Sequence, residues 1–291
     1  MKDQRITGKT LLVGVVGWPV GHSLSPAMHN AAFAELGIDW AYLPLPVQPN
    51  NVEQALKGLI ALNFVGSNVT VPHKQAVMRY MDELGDAAQI TGAVNTIHIQ
   101  DGKFFGYNTD PYGFLNSLKE AGGRPQGMRV AVLGAGGAAR AVVYALARAE
   151  VDSVIVFNRT AKRAAFLVDD LADIFPDSSL NFEALTRETL ATLGNKVDLV
   201  VNTTSVGMYP QVDTCPWPEE VPIPHNALFY DLVYNPLETV FLARARAAGA
   251  TAIDGLGMLV HQGALAFEKW TGQQAPVEVM RQACLSGLGI G

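Results

Sequence analysis

Residues Arg129 to Arg140 read RVAVLGAGGAAR. An apolar run, Val130 to Leu133, meets Gly134-Ala135-Gly136-Gly137-Ala138-Ala139, and small or apolar residues continue to Ala149. This is the pattern of a strand, a tight glycine turn and a helix start. Glycine lets backbone approach a phosphate closely, while a helix N-terminus offers unpaired N–H groups and partial positive charge. The spacing fits G-x-G-x-x-A, with Ala139 in the third slot. Such turns also serve plain strand–helix packing, so the surroundings must decide.

Downstream, apolar strands alternate with helical stretches: Val130 to Leu133, Ser153 to Phe157, Leu180 to Phe182, Val197 to Asn202, Leu228 to Leu232 and Thr251 to Ile253. That alternation predicts an α/β fold with a doubly wound parallel sheet. Pro210 to Pro224 reads as a loop, and Leu256 to Trp270 and Val277 to Leu285 as helices without strands of their own.

Upstream lies a second, smaller α/β unit. Leu11 to Gly17 is a continuous apolar run, as in a parallel strand covered on both faces. Ser25-Pro26 opens a helix to about Leu36, with Ser25 as a plausible N-cap. Ala41 to Val47 and Phe64 to Val71 read as strands around a helix from Asn51 to Leu62. Pro72 is read as starting a helix to about Leu84. Val94 to Ile99 and Lys103 to Tyr107 flank Asp101-Gly102, a hairpin signal. A helix from Pro111 to Ala121 links the two parts. The expected division is 1–110, completed by 255–291, and 111–254.

The 291 residues carry a formal charge of −6 and contain no Lys/Arg-rich run, which argues against a nucleic-acid surface. Cys215 and Cys284 form neither a disulfide framework nor a C-x-x-C pair, so a reducing cytoplasm is expected. Lys2, Arg5 and Lys9 precede the run Leu11 to Val20, superficially like a secretion signal. Gly14, Gly17 and Pro19 interrupt it, however, and a first buried strand is the better reading. No stretch is long enough to span a bilayer.

In dinucleotide-binding sheets, a residue at the end of the second strand reads the adenosine ribose, and an acid there selects NAD. Here that strand ends Val156-Phe157-Asn158-Arg159-Thr160, followed by Lys162 and Arg163. Cations at a helix start are mildly misplaced unless they meet an anion. Guanidinium groups suit a 2′-phosphate through planar, charge-assisted hydrogen bonds. The expected cofactor is NADP.

Three polar segments in the first part can handle a proton beside a carbon that exchanges hydride. Gly21-His22-Ser23-Leu24-Ser25, with His29-Asn30 a turn later, presents two hydroxyls that an extended segment points the same way, suited to a carboxylate. Asn68-Val69-Thr70-Val71-Pro72-His73-Lys74 places Lys74 in the first turn of the helix expected there, set against its dipole. Gly106-Tyr107-Asn108-Thr109-Asp110 ends a hairpin with an acid, which also suits an N-cap.

S-x-S-x-x-x-H-N, N-V-T-x-P-x-K, G-A-V-N-T at Gly92 to Thr96, and G-x-N-T-D together resemble the shikimate dehydrogenase family. The likeness runs on through GAGGAAR, Asn158-Arg159-Thr160, Asn202-Thr203-Thr204-Ser205-Val206-Gly207-Met208 and Asp231-Leu232-Val233-Tyr234, to Gly255-Leu256-Gly257-Met258-Leu259-Val260-His261-Gln262. The matches follow family order over essentially the whole chain.

The resemblance implies a substrate-binding and catalytic domain joined to a Rossmann NADP-binding domain, with the C-terminal helices returning to the first. It implies reversible NADP-linked reduction of 3-dehydroshikimate to shikimate, in chorismate and aromatic amino-acid biosynthesis. Ser23 and Ser25 would hold the substrate carboxylate, with Tyr234 near it, and Thr70, Asn95 and Gln262 the ring hydroxyls. Lys74 and Asp110 would flank the reacting oxygen. The cofactor would lie on Gly134, Ala135, Gly136, Gly137, Ala138, Asn158, Arg159, Thr160 and Arg163, with Leu232, Gly255 and Asp86 near its nicotinamide. The two domains would then wall a cleft, with a monomer or homodimer as the assembly.

One departure is His261-Gln262-Gly263 where the family pattern has Q-A-A after Val260; Gly263 inside a helix costs about 1 kcal/mol relative to Ala. The histidines show no ligand spacing such as H-E-x-x-H, so no metal is expected. A Cys–His nucleophile is equally unsupported. The alternatives are a quinate/shikimate dehydrogenase using both NAD and NADP, and a non-catalytic dinucleotide-binding sensor. Ser25 and Arg159 favour shikimate and NADP, and the Lys74–Asp110 pair speaks against a mere sensor.

Overall fold

The computed structural model describes residues 6–194 and 196–290; Lys2 and Arg5 lie outside them. The chain divides into two compact units. One runs to Thr109 and resumes at Val260, and the other is Asp110–Leu259.

The first unit opens with β1 (Leu11–Gly17), α1 (Ser25–Leu36), β2 (Trp40–Pro46), α2 (Val52–Ala61) and β3 (Phe64–Val69). It continues with β4 (Glu83–Leu84), α3 (Asp86–Thr91), β5 (Thr96–Gln100) and β6 (Lys103–Tyr107). The six strands form one mixed sheet in the order β2-β1-β3-β5-β6-β4. β1 pairs in parallel with both β2 and β3, and its Val13, Val15 and Val16 are buried. Covering on both faces is why this strand reads as an unbroken apolar run. The β5–β6 pair is antiparallel and turns through Asp101 (φ 52°) and Gly102 (φ 72°), the two left-handed residues a tight hairpin requires.

The helix expected from Pro72 to Leu84 does not form. Turns lead to a single 3₁₀ turn, Met78–Tyr80, then to β4, and a short helix, α3, follows that the sequence reading did not assign. A helix needs the Lys74 carbonyl to accept from the N–H of residue 78. That carbonyl instead accepts from Val94 N at 2.8 Å, and Met78 N donates to Gln75 O. Asp82 N and Gly85 N similarly donate sideways to Phe104 O and Gly106 O. Tertiary pairing takes the bonds a helix would have used.

The second unit contains α4 (Asp110–Glu120), β7 (Arg129–Leu133), α5 (Gly137–Arg148), β8 (Ser153–Asn158), α6 (Ala161–Ala172) and β9 (Ser179–Ala184). Next come α7 (Arg187–Ala191), β10 (Leu199–Asn202), β11 (Leu228–Asp231), α8 (Val240–Ala247) and β12 (Thr251–Ile253). All neighbours in its sheet are parallel, in the order β12-β11-β10-β7-β8-β9. Numbered within the unit this is 3-2-1-4-5-6, the order of dinucleotide-binding sheets. The doubly wound fold expected from the alternation is therefore present.

α9 (Leu256–Thr271) and α10 (Val277–Gly287) complete the chain, and from Val260 onward they belong to the first unit. Trp270 lies on its sheet, donating Nε1–H to Ile97 O at 2.9 Å, and α10 packs on α1. Gly263 finds its reason here. A Cβ at that position would stand 2.2 Å from Met28 Cε, so a larger residue there requires the buried Met28 side chain to move.

Candidate active site

The serine segment is not extended. Leu24 has helical angles (φ −83°, ψ −10°), and Ser25 is the first residue of α1 rather than its N-cap. The turn is closed by Ser25 N donating to Ser23 Oγ at 3.3 Å. Leu24 is a buried anchor whose Cδ2 lies against Gly287 of α10, and burying it draws the segment into a turn. A turn, not strand alternation, therefore places Ser23 and Ser25.

His29 and Asn30, the second half of that motif, both grip Tyr42 on β2. The His29 ring stacks on the Tyr42 ring with centroids 4.4 Å apart and planes 1° from parallel. Asn30 clasps the Tyr42 backbone in both directions, Nδ2 donating to its carbonyl at 3.0 Å and Oδ1 accepting its N–H at 2.8 Å. Complete burial pushes the His29 imidazole down to about 3, so it is neutral. Burial also holds the Tyr42 phenol above its ordinary range, which keeps it a donor. It donates to Asn68 Oδ1 at 2.7 Å.

Asn68 passes the network on. Its Nδ2 donates to Asn95 O and to Thr96 Oγ1, both at 3.1 Å. Asn95, only 2% exposed, donates through Nδ2 to Thr109 Oγ1 at 2.9 Å and to Gln262 Oε1 at 3.3 Å. Its Oδ1 accepts from Thr109 N at 2.8 Å and from Thr96 Oγ1 at 2.9 Å. The Gly92 to Thr96 segment is held by backbone bonds that include Val94 N to Lys74 O, Val69 N to Asn95 O and Asn95 N to Tyr107 O.

The first unit thus joins Tyr42, Asn68, Asn95 and Gln262 through one continuous polar network, with Ser23 and Ser25 linked to each other and Lys74 anchored by its own carbonyl to the Asn95 segment. Thr70, one residue beyond β3, is tied through its N–H to Val16 O at 2.9 Å. The reading from sequence missed Tyr42 and Thr96. Only sheet pairing brings them in: Tyr42 was one aromatic in a strand, with no local signal of a partner on α1.

Lys74 is half-buried and sits in a turn, so the dipole argument made for it from sequence lapses with the helix. Asp86 is exposed in the first turn of α3, where an acid is favoured by the helix dipole without any ligand. Asp110 opens α4 in the second unit and is half-buried, as is Tyr234, just beyond β11.

The glycine turn of the second unit is open. Gly134, at φ 110°, lies against Thr203, where a Cβ would come within 2.6 Å of the hydroxyl. Gly136, Gly137 and Ala138 are exposed, and no side chain caps α5. Nothing stands within 4 Å of a Cβ built on Gly136 or Gly137. Ala139 is fully buried against the sheet, as the third slot of the motif requires. The free helix start fits a pyrophosphate.

Arg159 and Arg163 are exposed at the start of α6, with Thr160 as an N-cap that makes no side-chain cap bond. Neither forms an ion pair among the described residues. Asn158 Nδ2 donates to Thr160 O at 2.9 Å and shapes the turn that presents them. Leu232 and Gly255 meet, since a Cβ on Gly255 would lie 2.2 Å from Leu232 O. Among the described residues no three His, Cys, Asp or Glu side chains cluster as metal ligands, and no helix is long and apolar enough to cross a membrane.

Family models match along the chain. The shikimate dehydrogenase substrate binding domain covers residues 15–97, shikimate/quinate 5-dehydrogenase 117–210, and the shikimate 5′-dehydrogenase C-terminal domain 255–285. A shikimate dehydrogenase (NADP(+)) of Moorella thermoacetica is 49% identical over 288 residues, spanning 98% of this chain and 96% of that protein. The chain belongs to the shikimate dehydrogenase family. A crystal structure of a family member in complex with NADP+ superposes with a TM-score of 0.91 at 42% identity, covering 97% of both chains. Another, from Thermus thermophilus with NADP(H) and shikimate, gives 0.85 at 38% identity over 96% of this chain and all of that one.

Proposed function

We propose that the chain catalyses the reversible, NADP-linked reduction of 3-dehydroshikimate to shikimate. The observation that carries this reading is near full-length similarity to NADP-dependent family members, to which the open start of α5 and the exposed Arg159 and Arg163 add a physical reason. NADPH, when bound, supplies the hydride to the keto carbon. Gly134, Ala135, Gly136, Gly137 and Ala138 receive the pyrophosphate; Asn158, Arg159, Thr160 and Arg163 read the adenosine 2′-phosphate. Leu232 and Gly255 would lie near the nicotinamide.

Ser23 and Ser25 hold the substrate carboxylate, with Tyr234 beside it, and Thr70, Asn95 and Gln262 hydrogen-bond the ring hydroxyls. Lys74 Nζ gives a proton to the oxygen that becomes a hydroxyl and takes it back in the oxidative direction. Asp110 orients that ammonium. We further infer a cytoplasmic enzyme, monomeric or homodimeric.

The test is an absorbance assay at the reduced-nicotinamide band, pairing shikimate and quinate each with NADP+ and NAD+. Shikimate with NADP+ should dominate. Strong turnover of quinate or NAD+ would give the reading over to a dual-use quinate/shikimate enzyme, and silence with all four pairs to a binding-only role.

A further inference from the structure

Asp231 ends β11 with 0% of its surface exposed, in a part of the second unit that the proton chemistry does not use. Its carboxylate gathers donors from three places. Oδ1 accepts from Asn202 Nδ2 at 2.9 Å, at the end of β10, and from Val233 N at 3.0 Å; Oδ2 accepts from Thr239 Oγ1 at 2.8 Å. Asn202 in turn accepts, through Oδ1, from the N–H and the hydroxyl of Thr204 at 3.0 and 2.7 Å. The chain of bonds continues to Leu232 and Gly255. Leu232 N donates to Asn202 O at 3.0 Å, and Gly255 N donates to Val233 O at 3.1 Å.

Taking a carboxylate out of water is strongly unfavourable, and apolar residues of similar size often serve stability better. An acid at this depth therefore calls for a geometric reason. Ligands of doubly wound sheets bind outside the carboxyl ends of the strands, and there the loop after β10 and the segment after β11 must keep a fixed separation. Burial and the nearby Asp254 charge both raise the Asp231 carboxyl, with burial the larger effect.

We propose that Asp231 is a positioning residue for the nicotinamide half of the cofactor, locking Leu232 and Gly255 by tying the 202–206 loop to the 232–239 segment. This rests on the function proposed above, which places the nicotinamide at Leu232 and Gly255. It predicts that the two halves of the cofactor respond separately to loss of the carboxylate.

The test compares wild type with Asp231→Asn for kcat, for KM of NADP+, for affinity toward 2′,5′-ADP, which carries only the adenosine end, and for NADPH emission on binding. Asp231→Asn should lower kcat at least 10-fold and alter the bound NADPH emission, while 2′,5′-ADP affinity stays within twofold. A folded variant with unchanged kcat and emission overturns the proposal. So does a parallel loss of 2′,5′-ADP affinity, which marks general damage to the unit. Should Asp231→Asn not fold, Thr239→Val, which removes the Oδ2 partner together with the cap acceptor for Leu242 N at the start of α8, must show the same split. NADPH emission needs no substrate, so the proposal stands or falls even if wild type fails to oxidise shikimate; that failure would count against the proposed reaction instead.

Discussion

Lys74 is held by its own carbonyl against Val94, in a turn rather than a helix. Lys74→Ala should lower kcat by about 10²- to 10⁴-fold, the range typical of a lost general acid. Steady-state kinetics should show KM for shikimate changing only a few-fold, and a kcat that barely moves would remove the proton-handling role. Arg159 can be judged separately because its expected target is the 2′-phosphate. Arg159→Ala should weaken NADP+ by roughly 10- to 100-fold, the value of a hydrogen bond to a charged group, and leave NAD+ nearly unchanged. Titrations showing equal losses for both would end that assignment. At this scale the sequence was informative wherever a residue's partner lies a few positions away, as at Asn158-Arg159-Thr160. It was silent about Tyr42, whose partners His29, Asn30 and Asn68 become neighbours only through sheet pairing.

The strands were legible because burial on both faces leaves no position for a polar residue, as in Val13 to Gly17 of β1 and Val130 to Leu133 of β7. The region 72–84 was misread for the opposite reason. Its helix-like start after Pro72 is a local preference, and the sideways bonds to Val94, Phe104 and Gly106 outweigh it. Asp231 shows how an element end governs stability. Burial pushes its carboxyl up from the ordinary 3.8 to about 6, so the folded chain prefers the protonated form. That preference stabilises the fold fully below about pH 4 and is lost as pH rises through about 6. Thermal melts from pH 4 to 7 should therefore show wild type losing stability relative to Asp231→Asn as pH rises. A constant difference between the two would mean that Asp231 does not titrate in this range.

The first unit is assembled from two separated lengths of chain, while the second is continuous. Phe267, Trp270, Met280 and Cys284, all buried, come from the returning length, and α10 covers α1. A chain ending at Leu259 should lose more helical circular dichroism than α9 and α10 alone supply, and proteases should cut it between residues 6 and 109. Resistance there would show that the earlier length folds unaided. The alternation of strands and helices announced both sheets, and Gln262 in its motif hinted at the return, but neither revealed how much core the last helices contribute. The discontinuity has a consequence for synthesis on the ribosome. At about 5–20 residues per second, the some 150 residues between the two lengths take roughly 10–30 s to emerge. The early length must wait that long, its apolar sheet face uncovered, while the dinucleotide-binding unit can already close. A chain stopped short would then still capture the cofactor without holding a finished substrate site, making it a sink for NADP rather than an enzyme.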